Sequence, residues 1–148
     1  MGMFTSFDIN ASGMTAQRFR MDIISENVAN ANTTRTSDGS PYVRKVVTFT
    51  EKDTQTPFHH VLNKEKDRYS GKGVKIEGVY EDKETEMNMV YDPSHPDADE
   101  NGYVTYPNVN IITEMTNLID ATRGYEANAT AFSASKSMAL KGLEIGRG

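Results

Sequence analysis

From Val109 to Leu143 the chain runs without a single proline, and this stretch limits what it can fold into more than any other. Steps of alternating threes and fours pass through Met115, Leu118, Thr122, Tyr125, Ala129, Phe132, Lys136, Ala139 and Leu143. Only Thr122 and Lys136 interrupt the apolar stripe, so the pattern predicts one long helix with a coiled-coil-like face. Asn110 is placed to cap its start, because a side-chain oxygen there accepts from the first free backbone amides. Gly146 and Gly148 suit its end, where a left-handed residue costs glycine nothing. At 1.5 Å per residue such a helix reaches about 50 Å. A compact domain of this length has a diameter of roughly 40 Å. The prediction is therefore an elongated molecule, or a helix lying against other subunits. Small residues crowd the second half, among them Ala127, Ala131, Ser133, Ala134 and Ser137. They let another helix approach closely but bury little area, so stability should come from packing.

Residues 4 to 30 predict a second helix. Phe7, Ala11, Met14, Met21, Ile24 and Val28 share one side, interrupted by Arg18 and widened by Phe19 and Ile23. Gly13 inside it costs about 1 kcal/mol relative to alanine. The methionines suit core packing at an interface between non-identical neighbours, since methionine fills irregular gaps. Asn27 to Thr34 is rich in asparagine and threonine, which favour turns over helix interiors. Turn chemistry follows through Asp38-Gly39-Ser40-Pro41.

The middle changes period. Val43, Val47 and Phe49 alternate across Tyr42 to Thr50, Val74, Ile76 and Tyr80 alternate next, and Thr85, Met87, Met89 and Tyr91 alternate after them. Each run predicts a strand with one buried face. A short fourth piece is expected at Phe58 to Leu62, within an otherwise charged loop or long hairpin over residues 51 to 72. Residues 92 to 108 hold three prolines and an Asn-Gly, which forbid regular structure over most of that return. The fold class is α+β, with paired terminal helices and a small β-hairpin region inserted. The expected division is a helical inner domain, 1–34 with 108–148, and a β-rich outer region, 35–107.

Composition narrows the function classes. There is no cysteine among the 148 residues, which removes disulfides, thiolate metal sites and cysteine catalysis. A net charge of −5 opposes nucleic-acid binding. Mean hydropathy is −0.61, polar for a globular domain, as expected for a chain that completes its order with partners. No stretch is long and apolar enough to insert in a membrane. The start, MGMFTSFDIN, lacks the basic and apolar regions of a cleaved signal. Its match to the myristoylation pattern through Gly2 and Ser6 is short and common.

Candidate chemistry is thin. Asp97, Asp99, Asn101 and Gly102 match the first half of a calcium loop, but Asn108 stands where the bidentate glutamate belongs, and Pro93 and Pro96 preclude a preceding helix. His59 and His60 are adjacent, so on a strand they point to opposite faces and do not chelate together. His95 with Asp92 and Asp97 is the one arrangement that suggests a metal-assisted hydrolase, and its ligand set is incomplete. No serine sits in a nucleophile motif. No catalytic residue, metal or cofactor is expected.

Both ends carry recognisable motifs. Ser25-Glu26-Asn27-Val28-Ala29-Asn30-Ala31-Asn32-Thr33 resembles the N-terminal signature of the bacterial flagellar rod and hook proteins. Asn108-Val109-Asn110, Glu114-Met115 and Arg123-Gly124-Tyr125-Glu126-Ala127-Asn128 resemble the C-terminal one. In the middle, Gly71-Lys72-Gly73-Val74 and Asp92-Pro93-Ser94-His95-Pro96-Asp97-Ala98 resemble the proximal-rod branch of that family. Gly124 replaces the family's usual alanine, which should weaken that turn by about 1 kcal/mol unless a neighbouring backbone approaches.

The resemblance implies a structural rod subunit exported without a cleaved signal, its terminal helices pairing around a central channel. Implied partners are itself, other flagellar rod proteins and the rod-to-export-apparatus adaptor, with no nucleic acid and no membrane insertion. The expected assembly residues are Phe7, Met14, Met21, Val28, Asn30, Asn32, Met115, Leu118, Tyr125, Asn128 and Phe132. Tyr125 and Phe132, with Phe7 and Met14 opposite, are the candidates for an inter-helix core. The competing class is a soluble coiled-coil module with a single partner.

Overall fold

A computed structural model describes residues 3–52 and 72–146. Helix α1 spans Met3–Ala29 and helix α2 spans Ile111–Ile145. Between them lie strands β1 (Lys45–Glu51), β2 (Val74–Glu81), β3 (Asn88–Tyr91) and β4 (Tyr103–Tyr106). β1 pairs with β2, and β3 with β4, in two separate two-stranded sheets. The architecture is α+β, as the periodicities predict. The piece expected at Phe58 to Leu62 lies outside the described residues.

Local chemistry sets the element ends. The Asn110 side-chain oxygen accepts from the amides of Ile112 and Thr113 at 3.0 and 3.2 Å, the expected cap of α2. After α1, the Asn30 amide donates to the Glu26 carbonyl and its oxygen accepts from Thr33, so this asparagine closes the helix on itself. β4 is an element that the proline-rich return concealed. Gly102 adopts φ +80°, reversing the chain directly before Tyr103-Val-Thr-Tyr, which is proline-free and alternates. Asp99 holds the turn by accepting from the amides of Asn101 and Tyr103. β3 and β4 are antiparallel, with Val90 opposite Val104 and Tyr91 opposite Tyr103.

The chain forms two compact units. The first comprises Met1–Arg18, Phe49–Glu77 and Thr122–Gly148, and the second Phe19–Thr48 and Gly78–Ala121. In the first, the two helices pack through small residues. Phe7 and Phe132 meet edge to face at 4.9 Å between ring centres. Further along α1, a methyl at Gly13 would fall 2.7 Å from the Asn128 side chain, and Gly124 faces Gln17. Contacts on α2 thus run backwards as α1 advances, so the helices are antiparallel here. At Gly124 the close neighbour is the Gln17 side chain and not a backbone. Ala16 and Ser135 are buried in this unit.

In the second unit, Ala31, Tyr42 and Val109 form an apolar cluster, and Ile24, Val104 and Ala121 are also buried. The buried face of α2 lies to one side of the apolar stripe, whose Leu118, Ala129, Phe132 and Ala139 are half-buried. It passes through Glu114, Ala121 and Ser135, while Met115, Thr122, Lys136 and Leu143 face outward. Glu114 takes an inner position because Asn27 and Arg44 satisfy its carboxylate, and periodicity cannot register that.

The start of β2 is fixed on α1 in the first unit. Ser12 Oγ donates to the Ile9 carbonyl at 2.7 Å and accepts from the Val74 amide at 3.1 Å. Gly73, at φ +81°, brings the chain against this hydroxyl, and a methyl there would lie 2.3 Å from Ser12 Oγ and 3.4 Å from Ile9 Cα. Gly73→Ala is expected to cost about 2 kcal/mol or more, through strain and collision together. An unchanged urea midpoint in that variant would refute the packing role.

Candidate assembly site

A polar network organises the second unit. Asn27, on the last turn of α1, is 1% exposed, yet every hydrogen-bonding valence of its carboxamide is filled. Its oxygen accepts from the Tyr42 hydroxyl and the Lys45 amide, both at 2.9 Å. Its nitrogen donates to the Lys45 carbonyl at 2.8 Å and to Glu114 Oε2 at 3.0 Å. One side chain therefore ties the end of α1 to the start of β1 and to the first turn of α2.

Glu114 is also 1% exposed. Its other oxygen, Oε1, receives Nε and Nη2 of Arg44 at 2.9 and 2.8 Å. The remaining Arg44 nitrogen, Nη1, lies 3.3 Å from Asp82 Oδ2. Asn108 closes the circuit, accepting from the Arg44 amide and donating to the carbonyls of Asp82 and Thr85. Charge and geometry agree at these sites. Burial works against the Arg44 charge, but the hydrogen bonds and charge of Glu114, followed by Asp82, raise its pKa above the usual value. Asp82 is held below its ordinary pKa chiefly by hydrogen bonds from Thr85. Burial, reinforced by Glu26 and Glu114, pushes the Tyr42 hydroxyl up to about 12.

The expected assembly residues separate by environment. Phe7, Asn128 and Phe132 pack within the helix pair of the first unit, where Asn128 also donates to the Gly124 carbonyl at 2.7 Å. Met14, Met21, Val28, Asn30 and Leu118 are half-buried. Asn32, Met115 and Tyr125 are exposed. Tyr42, Arg44 and Asp82 carry no signal in the periodicities. Asn27, Asn108 and Glu114 stand out only as parts of the terminal motifs.

The candidate metal ligands are engaged elsewhere. Asp97 accepts from Thr34 and pairs with Arg35, Asp92 accepts from Ser94, and His95 Nδ1 accepts from the Asp97 amide. Among the described residues no group of three ligating side chains converges.

Two outcomes follow for the network. Asn27→Ala strands the Glu114 carboxylate oxygen, the Tyr42 hydroxyl and the β1 backbone together. It should lower stability by about 3 kcal/mol, more than a typical single hydrogen bond. Denaturant unfolding checks this, and a loss under 1 kcal/mol, the scale of one ordinary hydrogen bond, would contradict it. For Tyr42 the folded pKa is raised, so its contribution is complete below the ordinary tyrosine value near 10 and is lost as pH rises towards 12. In a spectrophotometric titration one tyrosine should ionise late, and Tyr42→Phe should abolish that phase.

Comparison with known proteins agrees with both ends of the chain. A family model described as "Flagella basal body rod protein" matches residues 7–35. Another, described as "Flagellar basal body rod FlgEFG protein C-terminal", matches residues 100–145. The chain is 44% identical to flagellar basal-body rod protein FlgC of Bacillus subtilis (strain 168), covering 99% of this chain and 100% of the relative. Identity to the FlgC protein of Borreliella burgdorferi is 41%, over the whole of both chains. To that of Salmonella typhimurium it is 37%, over 99% and 100%. With such identity along essentially its full length, this chain belongs to the FlgC family of flagellar basal-body rod proteins.

Proposed function

We propose that this protein is a structural subunit of the bacterial flagellar basal-body proximal rod, polymerising through its terminal helices around the export channel and transmitting torque. The observation that carries this is the series of exposed apolar side chains on α2. Ile112, Met115, Ile119, Tyr125, Met138 and Leu143 are exposed along it, on a chain of polar composition. Large apolar groups repeated along one helix need a protein neighbour to remove them from water. Full-length likeness to FlgC proteins supplies the identity of the assembly.

Within this role, residues 1–34 and 108–148 form the inner axial part and residues 35–107 the outer part. The neighbours are further copies, other rod proteins and the adaptor that joins the rod to the export apparatus. The subunit reaches the periplasmic space through the flagellar export machine, without cleavage of a signal. Its work is mechanical and not enzymatic. It needs no cofactor and contacts neither nucleic acid nor the membrane interior; among the described residues no helix is long and apolar enough to cross a bilayer.

Tyr125 tests the proposal because it is outward-facing and so expendable to the isolated fold. Aromatic anchors of this kind contribute about 2 kcal/mol or more when an interface buries them. Tyr125→Ala should leave export intact while rod assembly and swimming fall sharply. Normal motility in that variant would oppose the assignment of this face to assembly.

A further inference from the structure

Asn101-Gly102 is the one place in the sequence where an asparagine precedes a glycine. This linkage carries its own chemistry. The amide nitrogen of the glycine attacks Cγ of the asparagine, and glycine has no side chain to hinder the approach. A five-membered succinimide closes, the C–N bond of the carboxamide breaks, and ammonia leaves with the displaced amide proton. Water then opens the ring to aspartate or isoaspartate. One water is consumed, one ammonia is released, and no oxidation state changes.

The folded turn opposes that attack. Asn101 is exposed, so water reaches its carboxamide, but the backbone around it is tied down. The Asn101 and Tyr103 amides donate to Asp99 Oδ1 at 2.9 and 2.8 Å. The Gly102 amide, which is the nucleophile, donates to the Asp99 carbonyl at 3.0 Å. The Gly102 carbonyl accepts from the Asp92 amide at 2.9 Å, and the Asp99 amide donates to the Tyr103 carbonyl at 2.8 Å. Gly102 sits at φ +80°, where a methyl would lie 3.0 Å from Tyr91 Cε2 and 3.2 Å from Pro93 Cβ. Ring closure requires Asn101 to rotate about its Cα–C bond and the Gly102 N–H to leave its acceptor. Both movements break the bonds that Asp99 makes.

We propose that Asn101 is a self-modifying deamidation site, closed by the Asp99 turn in the folded hairpin and opened when the chain unfolds. Asp99 is then a positioning residue, acting on the chemistry through the two amides that flank the reacting bond. Isoaspartate at 101 adds a methylene to the backbone and a negative charge to the side chain. Both fall two residues before β4, whose Val104 is buried opposite Val90, so the hairpin cannot recover its register unchanged. The modification is permanent, and it marks a chain by the time it has spent unfolded. It arises from this chain's own residues and does not depend on what the subunit assembles with.

Peptide mass spectrometry of the full-length protein tests this, after incubation in mildly alkaline buffer across a guanidinium series. Circular dichroism reads the folded fraction of the same samples. Asn101 should convert at least tenfold faster in the unfolded chain, with a rate that follows the unfolded fraction. In buffer alone, Asp99→Ala should convert at least tenfold faster than the wild type. Asp99→Asn keeps an acceptor oxygen at that position and should stay close to the wild-type rate. Equal rates in the folded and unfolded wild type would overturn the proposal. So would a folded Asp99→Ala as slow as the wild type, or an Asp99→Asn as fast as Asp99→Ala. If Asp99→Ala does not fold, hydrogen exchange at the Gly102 amide of the wild type decides instead. Exchange slowed at least tenfold from the unfolded rate is expected, and exchange at the unfolded rate would mean that the turn closes nothing.

Discussion

The hydrogen bond between Asn27 and Glu114 is the constraint on which the second unit depends. It fixes the register between the last turn of α1 and the first turn of α2, and every other member of the network is placed relative to it. A seam of leucines is tolerant, because apolar side chains can slide by a turn and still bury area. A buried amide paired with a buried carboxylate tolerates no slide, since any shift leaves both groups unsatisfied in a medium of low dielectric. Arg44 then balances the carboxylate, and its own backbone amide is held by Asn108. The unit gains a single arrangement, and a neutral apolar replacement of similar shape could match its stability without that selectivity.

The first unit is built on the opposite principle. Its helices meet at Gly13 and Gly124, beside the aromatic contact of Phe7 with Phe132, and Ala16 and Ser135 are buried in the same unit. Small residues allow close backbones and bury little area, so the helix pair gains modestly from its own contacts. Asn128 shows the same economy: its side chain fills the space over Gly13 and returns its amide to the Gly124 carbonyl. Apart from Phe132, the larger apolar groups in the second half of α2, Met138, Leu140, Leu143 and Ile145, stay exposed. Surface left unsatisfied inside a subunit is available between subunits.

Periodicity made the two helices legible to within two residues at each end, because 3.6-residue spacing over so long a run has no competing explanation. The first three strands were legible in position, though β1 and β3 proved shorter than their alternation suggested. β4 was hidden because four alternating residues carry little signal beside three prolines and a glycine turn. The inner face of α2 is displaced from its apolar stripe for a different reason. Hydropathy assigns Glu114 to solvent, and only its partners Asn27 and Arg44 reverse that assignment. No spacing rule brings Arg44 to Glu114 across seventy positions. The terminal motifs held the clue, since Asn27, Asn108 and Glu114 all lie within them, but a motif names residues without saying what they touch.

Acid exposes how the network is balanced. Asp82 has a folded pKa below its ordinary value, so its contribution is present above the usual carboxylate range and is lost as pH falls through the folded value. Its main anchor is local, from Thr85, so protonation should first loosen the turn after β2 and weaken the hold on Arg44 Nη1. The two Arg44 bonds to Glu114 do not depend on that turn. Asp82→Asn should therefore flatten the acid limb of the stability profile while leaving the neutral fold in place. An acid limb as steep as the wild type would mean that other carboxylates govern it. The distinction separates a peripheral brace, Asp82, from the Asn27–Glu114–Arg44 centre, whose loss at any pH removes the register on which the unit is built.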